Sequence, residues 1–261
     1  MRARLPDREG VIQRDGVRVA FEVFGHGEPA LLLIPASPIT HARSWKGIVP
    51  ALARRFTVVT TDGRGTGRSD RPRTPECYAP AEVIADLLEV LDAASVDRAV
   101  LVVHCHAVPW ALRLAADHPG RAAGVVAIAP GIGVAPPYPY AAEAEQRWAE
   151  PVDTPAGWSM RNRHFWRQDS GYREWVEFFF GHQLPEPHST KQHEDTVGWP
   201  CVCVPRLLTR YVRSAKPNLT RLWYAIWENA DLSDAPTSAT LRGRKRLVSR
   251  SPVIWKDMTV S

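Results

Sequence analysis

The chain has 261 residues, of which 44% are hydrophobic and ten are tryptophan, so it can bury one sizeable core. Its four cysteines are too few for a disulfide framework and lack the spacing of a zinc knuckle, so we expect no metal site. The first residues are charged and no apolar run reaches membrane-spanning length. We therefore expect no signal peptide, no membrane span and a cytoplasmic protein.

The net charge of +5 is concentrated near the end of the chain. Residues 201–261 contain eleven Lys and Arg against four Asp and Glu, whereas the first 200 residues are slightly acidic. The basic run at residues 242–246 could bind nucleic acid or anionic lipid, but such runs are more often solvated segments. We therefore expect no nucleic-acid partner.

Strand and helix patterns alternate in the first part of the chain. Asp15 and Gly16 separate two segments with strand character, which predicts an antiparallel hairpin at the start of a sheet. Residues 31–34 and 56–60 have the pattern of buried strands, with a helix predicted between them over residues 43–53. This alternation is typical of an α/β fold.

Residues 80–93 give the clearest helix of the chain. Aliphatic residues at helical spacing line one face, and acidic residues line another. The aliphatic set is Val83, Ile84, Leu87, Leu88 and Leu91, and the acidic set is Glu82, Asp86 and Glu89. A continuously apolar run follows at residues 99–103 and predicts a strand buried on both faces of a parallel sheet. The helix is therefore expected to connect two parallel strands by a right-handed crossover.

The pattern changes abruptly after this strand. Residues 104–106 (His-Cys-His) lead into a helical pattern over residues 107–116, in which Pro109 is tolerable only in the first turn. A further buried strand is predicted at residues 124–129. Because so few residues join strand to helix, the chain must bend tightly at Cys105, where a chemical nucleophile would be expected.

Three segments together resemble the α/β-hydrolase family. Residues 103–107 (Val-His-Cys-His-Ala) resemble its nucleophile elbow, with Cys105 in place of the usual serine. Residues 31–38 resemble the third strand and oxyanion loop, and residues 56–69 resemble the fourth strand and its Asp-x-Arg-Gly-x-Gly-x-Ser turn. The resemblance implies an α/β-hydrolase fold with a mainly parallel central sheet.

The same resemblance implies roles for three residues. Cys105 would be the nucleophile, and the backbone N–H groups of His106 and Ser37 would form the oxyanion hole. A position at a helix N-terminus is expected to favour the thiolate over the thiol. The alternative for Cys105 is an inert buried thiol in place of serine.

The chain departs from the family around these residues. The family has glycine at the positions of Val103 and Ala107, and His-Gly at residues 35–36. In the turn motif, structural roles are expected for Asp62, which would accept backbone hydrogen bonds, and for Arg64 and Ser69.

The general base and the acidic residue of the family are not found in the sequence. The family supplies them after two later strands, and no histidine lies beyond His193. His104 and His106 flank Cys105, but their side chains are expected to diverge from it. Further candidates are His164, His182, His188 and His193, of which His193 is favoured because acidic residues follow it. A packing or surface role is the alternative for each.

The resemblance divides the chain into three parts. Residues 1–135 are expected to form the hydrolase core. Residues 136–200, rich in Pro, Trp, Phe and His, are expected to form a cap-like helical insertion, with plain core packing as the alternative. A helix is predicted over residues 172–181, and a second helix start at Ser189. Residues 201–261 are expected to be an atypical basic tail in place of the last strands, which leaves the fold incomplete at its C-terminal end.

Three functions remain open. The favoured function is a hydrolase of a small ester, thioester or lactone, which needs no cofactor and takes an apolar small-molecule substrate. The second is a catalytically inactive ligand-binding protein of the same fold. The third is a truncated or frame-altered, defective hydrolase with an unpaired sheet edge. The oligomeric state is left open by the sequence.

Overall fold

The computed structural model describes residues 4–36, 40–131, 143–144, 146–168, 170–188 and 190–198. Six strands form one sheet in this part of the chain: β1 (Arg8–Arg14), β2 (Val17–Phe24), β3 (Ala30–Ile34), β4 (Val58–Thr61), β5 (Ala99–His104) and β6 (Ala122–Ile128). Their order is β1-β2-β4-β3-β5-β6. β2 pairs antiparallel with β1 and β4, and the other pairs are parallel. The predicted α/β sheet is therefore confirmed.

The hairpin between β1 and β2 is also confirmed. Asp15 and Gly16 form its two-residue turn with φ angles of +50° and +77°. Asp and Gly tolerate this left-handed backbone, and a turn of this type matches the twist of the paired strands. The hairpin thus adds two antiparallel strands to the edge of the parallel sheet.

The parallel strands align their carboxyl ends at one edge of the sheet. Leu33 of β3 lies beside Thr60 of β4, and Ile34 of β3 lies beside Val103 of β5. The loops that follow β3, β4 and β5 therefore leave the sheet next to one another. β6 pairs with β5 as predicted from its apolar sequence, but it is only half-buried.

Two apolar clusters cover opposite faces of the sheet, because alternate residues of each strand point to opposite sides. One contains Leu32, Leu101 and the inner faces of two helices, α2 (Pro80–Ala93) and α3 (Val108–Asp117). The other contains Leu33 and Trp45. Both helices confirm the sequence predictions, including a first-turn position for Pro109.

One local prediction is wrong, and one residue is more buried than its position on the acidic face of a helix indicates. The single helix expected over residues 43–53 is a 3₁₀ turn (Ala42–Trp45) followed by one short helix, α1 (Val49–Leu52). Pro50 lacks an N–H and fits only in a first helical turn, so it begins a new helix instead of continuing one. Asp86 was placed on the polar face of α2, but it is only 4% exposed because two arginines bind it.

The described residues after 142 form helices and 3₁₀ turns that are joined by loops. They include α4 (Gly171–Gln183), which confirms the helix predicted over residues 172–181, and α5 (Thr190–Gly198). Ser189, the proposed start of the second helix, lies outside the described residues, as do residues 199–261 with their expected tail. The domain boundaries and the incomplete C-terminal end remain predictions.

Candidate active site

Cys105 lies at a sharp bend between a strand and a helix. β5 ends at His104, residues 105–107 form one 3₁₀ turn, and α3 begins at Val108. Cys105 has a φ of +54°, a left-handed conformation that L-residues other than Gly, Asn and Asp rarely adopt. The surrounding structure must hold this conformation, because it costs energy. Such strain is concentrated at functional sites.

The replacements of the family's glycines do not prevent the bend. Val103 and Ala107 are both fully buried. Val103 is paired with Ile34 on one side and Ala127 on the other, so its branched side chain is accommodated inside the sheet. The carbonyl of Cys105 accepts a hydrogen bond from the N–H of Gly131 at 3.1 Å, which ties the bend to the chain that follows β6.

The thiol of Cys105 is half-buried and faces a backbone donor. Burial raises the pKa of Cys105, and the N–H of His106, which donates to the sulfur, opposes that rise without cancelling it. The expectation that the helix N-terminus favours the thiolate is therefore wrong on balance. At neutral pH the group is mainly a thiol and needs a proton acceptor before it can attack.

The second expected oxyanion donor, Ser37, lies outside the described residues. The two residues that flank its loop are described: the N–H of Thr40 donates to the carbonyl of Ala36 at 3.3 Å. This hydrogen bond closes the loop directly after β3. Because β3 is the neighbour of β5, the loop and the bend at Cys105 share one edge of the sheet.

The two histidines beside Cys105 are both weak bases. Burial lowers the pKa of His104, and burial together with the positive charges of Arg161 and His104 lowers the pKa of His106. The ring of His104 lies edge-on to Trp45, with 6.5 Å between centroids. Among the described residues, no histidine nitrogen forms a hydrogen bond with the sulfur of Cys105. The general base thus remains unassigned.

The four later histidines lie in the segment after residue 142, and the structure records contacts there for three of them. His164 shares a hydrogen bond with the carbonyl of Ala149, and His182 packs against Trp158. His193, the favoured candidate, lies against Gly181 of α4. His188 is exposed. The structure does not bring any of these four into hydrogen-bond contact with Cys105.

A histidine and carboxylate pair that the sequence analysis missed lies at the same edge of the sheet. Nδ1 of His41, in the loop after β3, is 3.3 Å from Oδ1 of Asp62, in the turn after β4. Both side chains are buried. Asp62 also accepts the N–H groups of Ala42 and Arg68, each at 3.0 Å. The only sequence signal was Asp62 in its turn motif, because nothing in the sequence links it to a histidine twenty-one positions earlier.

The three turn-motif residues make the structural contacts expected of them. Burial alone would raise the pKa of Asp62, but the hydrogen bonds from His41, Arg68 and Ala42 outweigh it and lower the pKa. Arg64 binds the buried carboxylate of Asp86 through two nitrogens. The hydroxyl of Ser69 accepts the N–H of Ala20 and donates to the carbonyl of Asp62.

Aromatic side chains dominate the helical segment after residue 142. They form an apolar cluster of their own, in which Trp166 contacts other rings at centroid distances of 4.7–5.1 Å. Its core consists of Phe165, Trp166, Tyr172, Trp175, Val176, Phe180 and Val197. The segment is joined to the core by Asp195 of α5, which pairs with Lys46 in the loop after β3.

The ion pairs of Asp195 shift its acidity strongly. Hydrogen bonds from Lys191 and Lys46 lower the pKa of Asp195 to about 2. The carboxylate is therefore charged throughout the neutral range. It connects α5 to Lys46, which directly follows the 3₁₀ turn (Ala42–Trp45) that contacts His104.

Within the described ranges, His, Cys, Asp and Glu side chains do not form a cluster able to hold a metal ion. In the same part of the chain, none of the helices is both long and apolar enough to span a bilayer.

Comparison with known proteins agrees with this fold. A family model described as the alpha/beta hydrolase fold matches residues 23–235. The chain therefore belongs to the α/β-hydrolase family. The match runs past residue 200, where the motif-based resemblance ended, so the family relationship extends into the basic segment.

Individual known proteins match parts of this chain. Epoxide hydrolase B of Mycobacterium tuberculosis is 41% identical over 86 residues, which is 33% of this chain and 24% of that protein. The chain thus spans about a quarter of that relative. An alpha/beta hydrolase fold protein from Burkholderia ambifaria superposes with a TM-score of 0.62 at 19% identity, covering 84% of this chain and 74% of the other.

A third relative has a named activity. The structure titled "Est816 as an N-Acyl homoserine lactone degrading enzyme" superposes with a TM-score of 0.57 at 25% identity, covering 80% of this chain and 72% of the other. Together the three comparisons establish a hydrolase family and leave the substrate open.

Proposed function

We propose that the protein hydrolyses small esters, thioesters or lactones through a covalent intermediate on Cys105. The observation that carries this proposal is the bend itself: Cys105 has a positive φ between β5 and α3, with the N–H of His106 directed at its sulfur. This supports the proposal, because a nucleophile and an oxyanion donor at the bend would lie together where the loops after β3 and β4 also converge.

The proposed reaction has two steps. The thiol of Cys105 gives its proton to solvent water or hydroxide, the resulting thiolate attacks the substrate carbonyl carbon, and the N–H groups of His106 and Ser37 would stabilise the oxyanion that forms. The intermediate then collapses, the C–O or C–S bond of the leaving group breaks, and an acyl-thioester forms on Cys105. Water hydrolyses that thioester and regenerates the thiol.

The absence of a described base or acid beside the sulfur predicts which substrates react best. Because the described residues place no acid beside the sulfur, leaving groups that can depart as anions, which are those of low pKa, are favoured. Thioesters and phenyl esters should therefore react faster than alkyl esters, and amides should not react. The similarity to the lactone-degrading enzyme supports lactones as a further class.

The helical segment after residue 142 would select the substrate's acyl part. We propose that it covers the bend as a cap, because Asp195 joins it to the loop after β3 and Arg161 influences His106 electrostatically. Its aromatic side chains favour apolar acyl groups. Because the fold and the proposed reaction require no further group, we propose that no cofactor takes part.

A second function is favoured by one observation. Burial raises the pKa of Cys105, and a thiol without a base is a poor nucleophile. The alternative is therefore a ligand-binding protein that retains the fold but does not turn over its ligand.

The test compares two cysteine variants. Turnover of p-nitrophenyl acetate, a phenyl thioester, a homoserine lactone and an epoxide is measured for the wild type, Cys105→Ala and Cys77→Ala. Cys77 is the matched control, because it is also a half-buried free cysteine but bonds Thr74 instead of lying at the bend. The epoxide is included because of the partial match to epoxide hydrolase B.

We expect kcat/KM to fall by at least about a hundredfold in Cys105→Ala and to stay unchanged in Cys77→Ala. Acid-quenched wild type should carry the acyl group on the peptide that contains Cys105. Turnover that survives Cys105→Ala contradicts the proposed nucleophile. Saturable ligand binding without turnover supports the second function instead.

A further inference from the structure

The chain returns to the bend at Cys105 directly after β6. His104 of β5 lies beside Ile128 of β6, and the residue that follows each of them has a left-handed backbone. The φ angles are +54° at Cys105 and +44° at Ala129. Residues with a Cβ rarely adopt this conformation, so neighbouring contacts must hold it. Two adjacent strands therefore end in strained bends at the same edge of the sheet, beside the proposed nucleophile.

A hydrogen bond from Gly131 joins the chain after β6 to the bend. The N–H of Gly131 donates to the carbonyl of Cys105 at 3.1 Å. That carbonyl and the N–H of His106 belong to one planar peptide unit, and in a trans peptide they point in opposite directions. The N–H of His106 itself donates to the sulfur of Cys105. The peptide unit is therefore held at both ends, and the hydrogen bond from Gly131 sets the direction of the N–H.

Gly131 approaches this peptide unit closely because it has no side chain. A Cβ at position 131 would lie 3.3 Å from the carbonyl carbon and oxygen of Cys105 and from Nδ1 of His106. These separations are shorter than an ordinary van der Waals contact, so a larger residue would push the carbonyl or the ring away. Glycine permits such a close approach of one backbone segment to another.

We propose that Gly131 is a positioning residue, whose N–H holds the peptide unit between Cys105 and His106 so that the N–H of His106 faces the substrate oxygen. The inference rests on the proposed function, and it gives Gly131 no contact with the substrate. A carbonyl that accepts a hydrogen bond also polarises its peptide unit, which strengthens the N–H as a donor. Misplacing a group of an active site by about 1 Å can cost about a hundredfold in rate.

Two substitutions at position 131 separate the N–H from the space around it. Gly131→Pro removes the N–H and Gly131→Ala keeps it, whereas both add a Cβ, so the difference between them reports the donor. A third variant has glycolic acid in place of Gly131, introduced by cell-free translation, and it replaces the N–H by an ester oxygen. The remote control is Gly120→Ala, in the 3₁₀ turn (Pro119–Arg121) before β6, where a Cβ meets nothing within 4 Å.

The first measurement is steady-state hydrolysis of the phenyl thioester. We expect kcat to fall at least about tenfold in Gly131→Pro and in the glycolate variant, and less than about threefold in Gly131→Ala, because a misplaced oxyanion donor costs more than a small steric shift. KM should change less than about threefold in all of them, since the donor acts mainly in the transition state. Gly120→Ala should match the wild type.

The second measurement is alkylation of Cys105 by iodoacetamide, which needs no turnover and forms no oxyanion. When the N–H of His106 turns away from the sulfur, the thiolate loses a hydrogen bond and the pKa of Cys105 rises further. The thiolate fraction then falls more than its nucleophilicity rises, so alkylation at pH 7 should slow at least about threefold in the two donor-free variants. A general loosening of the site would instead expose the thiol, lower its pKa and speed alkylation.

The inference requires both slower turnover and slower alkylation in a folded variant without the donor. Equal kcat in Gly131→Pro and Gly131→Ala overturns it, and so does unchanged or faster alkylation of the donor-free variants. Should Gly131→Pro fail to fold, the glycolate variant is compared with the wild type under the same criteria. If Cys105→Ala retains activity, the proposed function fails on its own, and the alkylation rate alone then decides whether Gly131 orients the N–H of His106.

Discussion

The pH dependence of Cys105 reactivity gives the most direct test of the site chemistry. The ordinary pKa of a cysteine thiol is about 8.5, which leaves about 3% thiolate at pH 7. Burial raises the pKa of Cys105 despite the N–H of His106, so its thiolate fraction should be smaller still. The thiolate is the reactive form, so reactivity is lost as the pH falls and gained as it rises.

The rate of alkylation by iodoacetamide should therefore rise about tenfold per pH unit between pH 6 and 8, without a plateau below pH 8.5. Modification is followed by mass spectrometry of the peptide containing Cys105, because Cys77, Cys201 and Cys203 also react. Glutathione serves as the unburied reference thiol. The kcat/KM of hydrolysis should follow the same curve.

A plateau in the alkylation rate below pH 7.5 would refute this reasoning. It would show that the backbone donor and the helix N-terminus outweigh burial, so that Cys105 is a thiolate at neutral pH. Agreement between the alkylation and kcat/KM curves would also identify the group that limits hydrolysis. A kcat/KM curve with a lower pKa would instead point to a separate proton acceptor.

Two further predictions concern the contacts that support the site. Arg64→Met removes two charge-assisted hydrogen bonds to the buried Asp86. We therefore expect the free energy of unfolding measured in urea to fall by about 2–4 kcal/mol. A loss below about 0.5 kcal/mol would contradict this role of Arg64. Asp195→Asn removes the charge that pairs with Lys46, so amide exchange across α5 should rise while the thermal midpoint changes by only a few degrees. Glu194→Gln is the matched control for α5, and equal exchange in both variants would exclude Asp195 as the connection.

The main fold was predictable because its signals are local. Asp15 and Gly16 specify the hairpin turn by their own backbone preferences, and the aliphatic spacing of residues 80–93 specifies the helix that forms there. The bend at Cys105 follows from a buried strand and a helix joined by three residues. In each case the determining residues are neighbours in the chain.

The remaining features depend on contacts between distant residues. Asp86 has the spacing of a solvent-exposed helix residue, and the approach of Arg14 and Arg64 makes its burial favourable. The pairing of His41 with Asp62 likewise requires β3 and β4 to be neighbours. The pKa of Cys105 is a balance between burial and one backbone donor, and burial cannot be obtained from the spacing of residues. Ser37 remains a prediction because its loop lies outside the described residues.

The parallel pairing of β3 with β4 and β5 has a consequence for how the candidate active site forms. The three segments at the shared edge are far apart in the chain, and only the completed pairing brings them together. Bringing such distant segments together costs conformational entropy before any stabilising contact forms. We therefore expect this edge of the sheet to form late during refolding from denaturant. The circular-dichroism signal of the early helices and the first hairpin would then return before the refolding chain regains turnover.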